Sequence, residues 1–306
     1  MLVKYLCDGD EELLKDVPVK TTPLPRGTRI DRNLVPTQPI KQPYRSLLGA
    51  CMYAANAVRW DIKGAINSLS RVAHQPHEDH WHLLIHVCQY LHGTMSMGTH
   101  FRPGPMRIPT KLTVNDVDNH EGSQLIAYSD SSHADLNWLC MCPDCKRKHL
   151  ATDATDDSKC STVSYVAMFA SGIVDSFSTV DTIQRYGSPN DSETAALAKS
   201  SKRIAHMKMI AEGLSIPQAA VPTYSDSAGS IARCTKEWAN KTATRSIELR
   251  FALIRDHIKN GTIDLRKIAT SLNSSDLNTK ALCKHSFTRL RNQWMSTVEK
   301  AMTSNK

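Results

Sequence analysis

The tetrapeptide Tyr-Ser-Asp-Ser occurs twice in this chain, at residues 128–131 and at residues 224–227. Each copy follows a short apolar run and precedes small polar residues, a pattern that predicts both aspartates, Asp130 and Asp226, at the ends of strands. A tetrapeptide can repeat by chance, but two acids presented alike at strand ends are expected to converge. Convergent carboxylates in a basic protein indicate metal-assisted phosphate chemistry, because hard cations such as Mg²⁺ prefer oxygen ligands.

Charge is distributed unevenly along the 306 residues, and the formal net charge is +8. Residues 228–306 contain fifteen Lys and Arg against six Asp and Glu, whereas residues 1–227 contain twenty-three against twenty-four. A polyanionic partner is the natural interpretation of this basic C-terminal quarter. Solvated helix faces are the alternative interpretation.

Signals for export or membrane insertion are lacking in the sequence. No apolar run approaches the ~18 residues that a membrane span needs, and the first twenty residues mix acids and bases where a signal peptide would be apolar. We therefore expect an intracellular protein with no membrane partner. The nine cysteines are irregularly spaced, and in a reducing compartment we expect thiols or metal ligands rather than disulfides.

The N-terminal part of the chain has a helical rhythm. Residues 18–44 carry six of the fourteen prolines and are predicted to form an extended linker. Apolar residues at three-and-four spacing predict helices over residues 44–73 and 80–91. Residues 101–123 are rich in Pro, Gly, Asn and Asp, so we expect a domain boundary near residue 120.

Beyond residue 120, strands come first, and helices and strands then alternate. Strands are predicted over residues 124–128, 161–169, 173–179 and 262–268 and in a segment that ends at Tyr224, with a turn at Gly172. Helices are predicted over residues 192–214, 228–239 and 247–259, with a last helix opened by Ser274 or Ser275. This order of elements implies an α/β domain with a mixed sheet.

Two further acids lie at the ends of predicted elements. Glu193 comes one residue into the helix predicted over residues 192–214, and Asp276 lies in the opening of the last helix. Taken singly, Glu193 would complement a helix dipole and Asp276 would be a capping-region acid. Together with Asp130 and Asp226 they make four acids at four element ends, which favours a shared site.

Motifs along the chain occur in a characteristic order. They are Tyr44–Gly49 with Met52, Tyr53 and Ala55; Tyr90–Thr94; Tyr128–Asp130; Ser161-Thr162; Asp191–Glu193; Asp226 with Ala228; Ile247–Arg250; and Asp276-Leu277 with Thr279–Leu282. This order resembles the ribonuclease H domain of copia-type LTR retrotransposon polyproteins, preceded by the end of their reverse transcriptase. The resemblance spans roughly residues 17–291.

A fold and a domain division are implied by the resemblance. They are an α/β, ribonuclease H-like mixed sheet flanked by helices over residues 121–291, a smaller and mainly helical reverse transcriptase remnant over residues 1–120, and a tail over residues 292–306. Other parts of a retrotransposon polyprotein are candidate partners.

The resemblance also implies a reaction, the endonucleolytic hydrolysis of RNA in RNA/DNA hybrids by a mechanism that uses two Mg²⁺ or Mn²⁺ ions. Asp130 would bridge both ions, Glu193 and Asp226 would hold one, and Asp276 would hold the other.

Departures from the family pattern leave an alternative open. Ser246 and Ala252 stand where the family usually has histidines, and Ser132 replaces a second acid that follows Asp130. The chain contains no Tyr-x-Asp-Asp motif, so we expect no polymerase activity from it. The alternative function is a catalytically weak or inactive nucleic-acid-binding protein descended from such an element.

Two groups of residues suggest additional ligands. Cys140, Cys142, Cys145, His149 and Cys160 fall within 21 residues. The last four of them supply four soft ligands and resemble a loosened zinc knuckle, with a solvated basic loop as the alternative. Basic residues recur along two predicted helices and are expected to contact the phosphates of a hybrid duplex without reading its sequence; they are Lys199, Lys202, Arg203, Lys208, Arg245, Arg250 and Arg255.

Overall fold

The structure is a computed structural model that describes residues 2–9, 12–28, 30, 40–102, 104–112, 116–133, 160–181, 186–235 and 245–297. These residues form two compact units. The helical unit comprises the described residues within 2–99 and 280–297, and the sheet unit comprises those within 100–279. Part of the predicted proline-rich linker lies outside the described residues. Across the described ranges, no helix is both long enough and apolar enough to cross a membrane.

Short and medium helices make up most of the helical unit. They are α1 (Leu2–Leu6), α2 (Tyr44–Ala57), α3 (Lys63–Ser70), α4 (Glu78–Gly93) and α8 (Lys284–Arg291), with 3₁₀ helices at Glu12–Asp16 and Trp60–Ile62. The strand β1 (Met97–Thr99) pairs antiparallel with β9 (Met295–Thr297).

The helix predicted over residues 44–73 is divided by a buried ion pair. α2 ends at Ala57, and the backbone at Arg59 leaves helical geometry, with φ −110° and ψ 59°. The Arg59 guanidinium donates to both carboxylate oxygens of Asp61, at 3.0 and 2.8 Å, and Tyr90 Oη donates to Asp61 at 2.5 Å. Apolar periodicity cannot reveal such a break, because the bonds that stabilise it reach a residue about thirty positions away.

A five-stranded mixed sheet organises the sheet unit. In spatial order its strands are β6 (Gly172–Asp181), β5 (Ser161–Phe169), β4 (Ile126–Ser132), β7 (Val221–Ser225) and β8 (Ile263–Lys267). β5 is antiparallel to both of its neighbours, whereas β7 is parallel to β4 and β8. The helices are α5 (Pro189–Gly213), α6 (Ala228–Thr235) and α7 (Arg245–Lys259). The predicted α/β class, a mixed sheet flanked by helices, is confirmed.

The core of the sheet unit lies between the sheet and the helices α5 and α7. Its buried members include Ala127, Tyr165, Ala167, Leu197, Ala198, Ile204, Phe251 and Ile254. Small residues bring α5 close to β4, since the Ser200 hydroxyl donates to Ser129 Oγ at 3.1 Å. Burial of this apolar face, at roughly 25 cal/mol per Å² of apolar area, is the main force that holds the helices on the sheet.

The start of α5 differs from the prediction. The helix begins at Pro189, three residues before the predicted start. Ser188 is its N-cap and accepts a hydrogen bond from the Asp191 amide at 3.2 Å, and a proline suits the first helical turn because its missing N–H has no helical partner there. Glu193 therefore lies in the second turn of α5 rather than one residue into the helix.

Two other predicted elements differ in detail. The turn between β5 and β6 falls at Ala170 and Ser171, whose φ values are 49° and 66°, and Gly172 is already the first residue of β6. The last predicted helix, opened by Ser274 or Ser275, is present as the short 3₁₀ helix Ser274–Asn278 and is preceded by a further 3₁₀ helix, Thr270–Leu272.

The segment predicted to be a domain boundary contains a hairpin. β2 (Met106–Pro109) pairs antiparallel with β3 (Val117–His120), and Met106, Ile108 and His120 are buried. The compact units change near residues 100 and 280. The domain division at residues 120 and 291 stays a prediction.

Candidate active site

The two Tyr-Ser-Asp-Ser copies lie side by side in the sheet. β4 and β7 are parallel, and Tyr128 lies opposite Tyr224. Because the two copies have the same sequence, this register places Asp130 and Asp226 at the same level. Both aspartates therefore lie at the carboxyl end of the parallel pair.

An irregular segment holds Asp130. This aspartate is almost fully buried, with 1% of its surface exposed. The Thr279 hydroxyl donates to Asp130 Oδ2, and the Asn273 side-chain amide donates to the Ser129 carbonyl at 3.0 Å. The segment of residues 270–279 is thus fastened to β4 and orients the carboxylate.

Helix α5 brings Glu193 to the same end of the sheet. The Ser192 and Ser131 hydroxyls lie 2.9 Å apart, so the first turns of α5 are in contact with β4. A close approach of α6 completes this packing, because a Cβ atom added at Gly229 would lie 2.7 Å from Asn190 Oδ1. Any larger residue at position 229 would have to displace that amide.

Asp130, Glu193 and Asp226 form a group of three carboxylates. Each offers one oxygen, and the three oxygens all lie within 4.8 Å of one another. Asp130 is buried and the other two are partly exposed. Oxygen ligands from three separate elements fit a hard divalent cation such as Mg²⁺ or Mn²⁺, which keeps several waters and needs few protein ligands.

The fourth predicted acid is not a member of this group of three. Asp276 lies in the 3₁₀ helix Ser274–Asn278 and is 6% exposed. That segment instead supplies the Thr279 hydroxyl to Asp130. A role for Asp276 as ligand of a second ion stays a prediction.

A lysine that the sequence reasoning missed lies beside the group. Lys267 ends β8, is paired in register with Ser225, and donates from Nζ to the backbone carbonyl of Asp226. The sequence predicts a strand over residues 262–268, but it does not predict the pairing with β7 that places Lys267 beside Ser225. Lys267 brings a positive charge next to the residue that follows β7.

His133 adds a neutral imidazole near the end of β4. Burial lowers the pKa of His133, and the negative charge of Asp191 opposes this shift. Asp191 also forms an ion pair with Arg233, in which Arg233 Nη1 lies 3.4 Å from Asp191 Oδ1. Since the ordinary pKa of histidine is about 6.5, a lowered pKa leaves the imidazole uncharged at pH 7.

Several cations predicted to contact a hybrid have partners within the sheet unit. Lys199 pairs with Asp181 at 3.0 Å, and Arg203 donates to both carboxylate oxygens of Asp175, at 2.7 and 3.2 Å. Lys208 donates to two backbone carbonyls. These residues fasten α5 to neighbouring elements, and their contact with the phosphates of a hybrid stays a prediction.

Most of the predicted zinc knuckle lies outside the described residues. This holds for Cys140, Cys142, Cys145 and His149, whereas Cys160 is described and is buried next to the start of β5. The side chain of Ser246, where the family usually has a histidine, also lies outside the described part of the chain. The zinc site stays a prediction.

Comparison with known proteins agrees with the resemblance noted in the sequence. No family model matches the chain. The retrovirus-related Pol polyprotein from transposon TNT 1-94 of Nicotiana tabacum is 23% identical over 282 residues, which cover 90% of this chain and 18% of the relative. The chain is related to retrotransposon Pol polyproteins. A second such relative, from transposon RE2 of Arabidopsis thaliana, is 24% identical over 274 residues, which cover 88% of this chain and 16% of the relative.

The predicted relation to retrotransposon polyproteins is thereby confirmed. The chain spans less than a fifth of the length of these two relatives. Among solved structures, the N-terminal ribonuclease H domain of a Mycobacterium tuberculosis protein, fused to maltose-binding protein, is similar with a TM-score of 0.33 and 10% identity, covering 55% of this chain and 96% of that one. The sheet unit has the predicted α/β architecture, a mixed sheet flanked by helices.

Proposed function

We propose that the sheet unit is a divalent-metal-dependent ribonuclease H that cuts the RNA strand of RNA/DNA hybrids and leaves 3′-hydroxyl and 5′-phosphate ends. The observation that carries the proposal is the group Asp130, Glu193 and Asp226, whose carboxylate oxygens lie within 4.8 Å of one another. The relation to retrotransposon Pol polyproteins supports this reaction over other metal-assisted phosphate chemistry, because the sequence resembles their ribonuclease H domain.

The proposed cofactors are two Mg²⁺ or Mn²⁺ ions. Asp130, Glu193 and Asp226 would hold one ion, and Asp130 and Asp276 would hold the other. When bound, such ions activate a water molecule and stabilise the charge on the leaving oxygen.

The remaining contributions come from the chain itself. The Thr279 hydroxyl holds Asp130 in one orientation before substrate arrives, which reduces the reorganisation needed during the reaction. Burial of Asp130 lowers the local dielectric constant and strengthens its attraction for cations. We assign Lys267 the contact with a substrate phosphate, since its ammonium group lies beside Asp226.

A duplex partner suits the composition of the chain. The net charge is +8, and aromatic residues make up only 6% of the sequence. Recognition of single strands relies on bases stacked on aromatic side chains, whereas recognition of a duplex relies on its shape and its phosphates. The scarcity of aromatic residues supports duplex recognition.

A gel assay with matched duplexes tests the proposal. The full chain is incubated with a labelled RNA/DNA hybrid, and with RNA/RNA and DNA/DNA duplexes of the same sequence, in Mg²⁺, Mn²⁺ or EDTA. We expect cleavage of the RNA strand in the hybrid alone, and none in EDTA. Hybrid binding without cleavage in either metal would overturn the proposal and favour the catalytically inactive nucleic-acid-binding protein.

A further inference from the structure

The two tyrosines of the repeated tetrapeptide are stacked. The rings of Tyr128 and Tyr224 have centroids 5.5 Å apart and planes inclined by 27°, and both side chains are buried. Each tyrosine precedes its aspartate by two residues, and residues two apart on a strand share a face of the sheet. On β4, Tyr128 and Asp130 therefore share a face of the sheet, and Tyr224, which is in register with Tyr128, lies two residues before Asp226.

One ring of the stack is anchored by a polar network. Tyr224 Oη donates to Asp118 Oδ2 at 2.6 Å and lies 2.8 Å from His120 Nε2. Arg266 donates to the same carboxylate oxygen of Asp118 at 2.9 Å. Asp118 and His120 belong to β3, and Arg266 belongs to β8 and is paired in register with Tyr224. The network thus links the hairpin of β2 and β3 to β7 and β8.

We propose that Tyr224, held by Asp118 and His120 and stacked on Tyr128, is a positioning residue that sets the separation of the carboxylates of Asp226 and Asp130 and thereby the affinity of the group for a divalent cation. This inference deepens the proposed function and rests on it. It also gives the hairpin of β2 and β3 a role, since its acid and its histidine hold the ring.

The end of β7 leaves Asp226 less restrained than Asp130. Asp226 is the first residue after this strand, so the sheet ladder no longer restrains its backbone on both sides. Tyr224 is the last residue of the strand whose side chain lies on the face of the stack, and it is two residues before Asp226. Loss of its hydroxyl would remove the hydrogen bonds to Asp118 and His120, which fix the lateral position of the ring. Stacking on Tyr128 alone does not fix that position, because stacked rings tolerate lateral offset.

Calorimetric titration with Mn²⁺ tests the inference on the full chain after removal of metal. The variants are Tyr224→Phe, which keeps the ring, and Asp118→Asn, which keeps the shape of the carboxylate. The matched control is Tyr165→Phe, since Tyr165 is a buried tyrosine on β5 that stacks on Phe177 with centroids 5.5 Å apart. Circular dichroism and the unfolding midpoint verify that each variant is folded.

We expect Tyr224→Phe and Asp118→Asn to bind Mn²⁺ about tenfold more weakly, as is usual when a residue that orients a metal ligand is lost, and Tyr165→Phe to bind it as the parent does. Hybrid cleavage by Tyr224→Phe should require more Mn²⁺ and recover its maximal rate at saturation. The inference would be overturned if a folded Tyr224→Phe or Asp118→Asn variant bound Mn²⁺ with the parental affinity. It would also be overturned if Tyr165→Phe weakened Mn²⁺ binding equally, or if the parent chain bound no Mn²⁺. Should Tyr224→Phe fail to fold, Asp118→Asn decides. Mn²⁺ binding by the parent without hybrid cleavage would overturn only the proposed function.

Discussion

The substitution Asp130→Asn should stabilise the metal-free protein while abolishing its response to metal. Two unit charges 4.8 Å apart repel by about 3.5 kcal/mol at an effective dielectric constant of about 20. The substitution removes two of the three repulsions in the group, but solvent screens them because Glu193 and Asp226 are partly exposed. It also weakens the hydrogen bond from Thr279, since a charged acceptor becomes neutral, at a cost of about 1 kcal/mol. The net expectation is a gain of about 1–2 kcal/mol in the free energy of unfolding.

Urea unfolding at pH 8 in EDTA and in Mg²⁺ measures both effects. Mg²⁺ at a hundred times its Kd should raise the free energy of unfolding of the parent chain by about 2.7 kcal/mol. The same Mg²⁺ concentration should not raise that of Asp130→Asn by a comparable amount. The control is Glu212→Gln, which removes an exposed carboxylate elsewhere on α5 and should change stability by less than about 0.5 kcal/mol. The expectation is wrong if Asp130→Asn is less stable than the parent in EDTA. It is also wrong if Mg²⁺ raises the free energy of unfolding of Asp130→Asn as much as it raises that of the parent.

Three further outcomes follow from described contacts. Lys267→Met should raise KM for a hybrid several-fold with little change in kcat, which steady-state gel kinetics would show, and an unchanged KM would remove Lys267 from substrate binding. Asp61→Asn should lower the free energy of unfolding by about 3 kcal/mol in urea titrations, because it leaves a buried guanidinium without its carboxylate, and a loss below about 1 kcal/mol would contradict this. Burial raises the pKa of Asp118, but hydrogen bonds from Tyr224 and Arg266 outweigh it and hold that pKa below its ordinary range. Stability from this depressed pKa is present above about pH 4 and is lost as the pH falls further, so Asp118→Asn should flatten the acid side of a plot of unfolding free energy against pH, and an unaltered slope would contradict the assignment.

Local sequence could predict that the two aspartates are presented alike by two strands, although β4 continues to Ser132 and Asp130 therefore lies within the strand rather than at its end. The apolar run before each Tyr-Ser-Asp-Ser copy predicts a strand, and the repeat predicts that Asp130 and Asp226 are presented alike. The structure shows why this reasoning works, since Tyr128 and Tyr224 are in register on neighbouring parallel strands. Glu193 could be proposed only together with the other three acids, because an acid near a helix start, taken singly, complements the helix dipole.

Contacts between residues distant in sequence could not be predicted. The Thr279 hydroxyl reaches Asp130 across 149 positions, and the hairpin that anchors Tyr224 lies in a segment whose Pro, Gly, Asn and Asp content suggested only a boundary. Periodicity also says nothing about which cations have internal partners, so Arg203, paired with Asp175, looked available for phosphate. The early start of α5 is set by Ser188-Pro189, a cap followed by a proline, which lies outside the helical pattern that predicts a start at residue 192.

We propose that Asp130, Glu193 and Asp226 act together in metal-dependent cleavage. The cleavage rate of a labelled RNA/DNA hybrid is measured for the parent chain and for Asp130→Asn, at a Mg²⁺ concentration that saturates the parent. Protein concentrations are chosen so that the same fraction of the hybrid is bound in both cases. We predict measurable cleavage by the parent and a loss of at least about a hundredfold in kcat for the variant, with hybrid affinity unchanged, since the substitution removes charge that supports cation binding and leaves the phosphate contacts in place. Cleavage by Asp130→Asn at the parental rate would contradict the account.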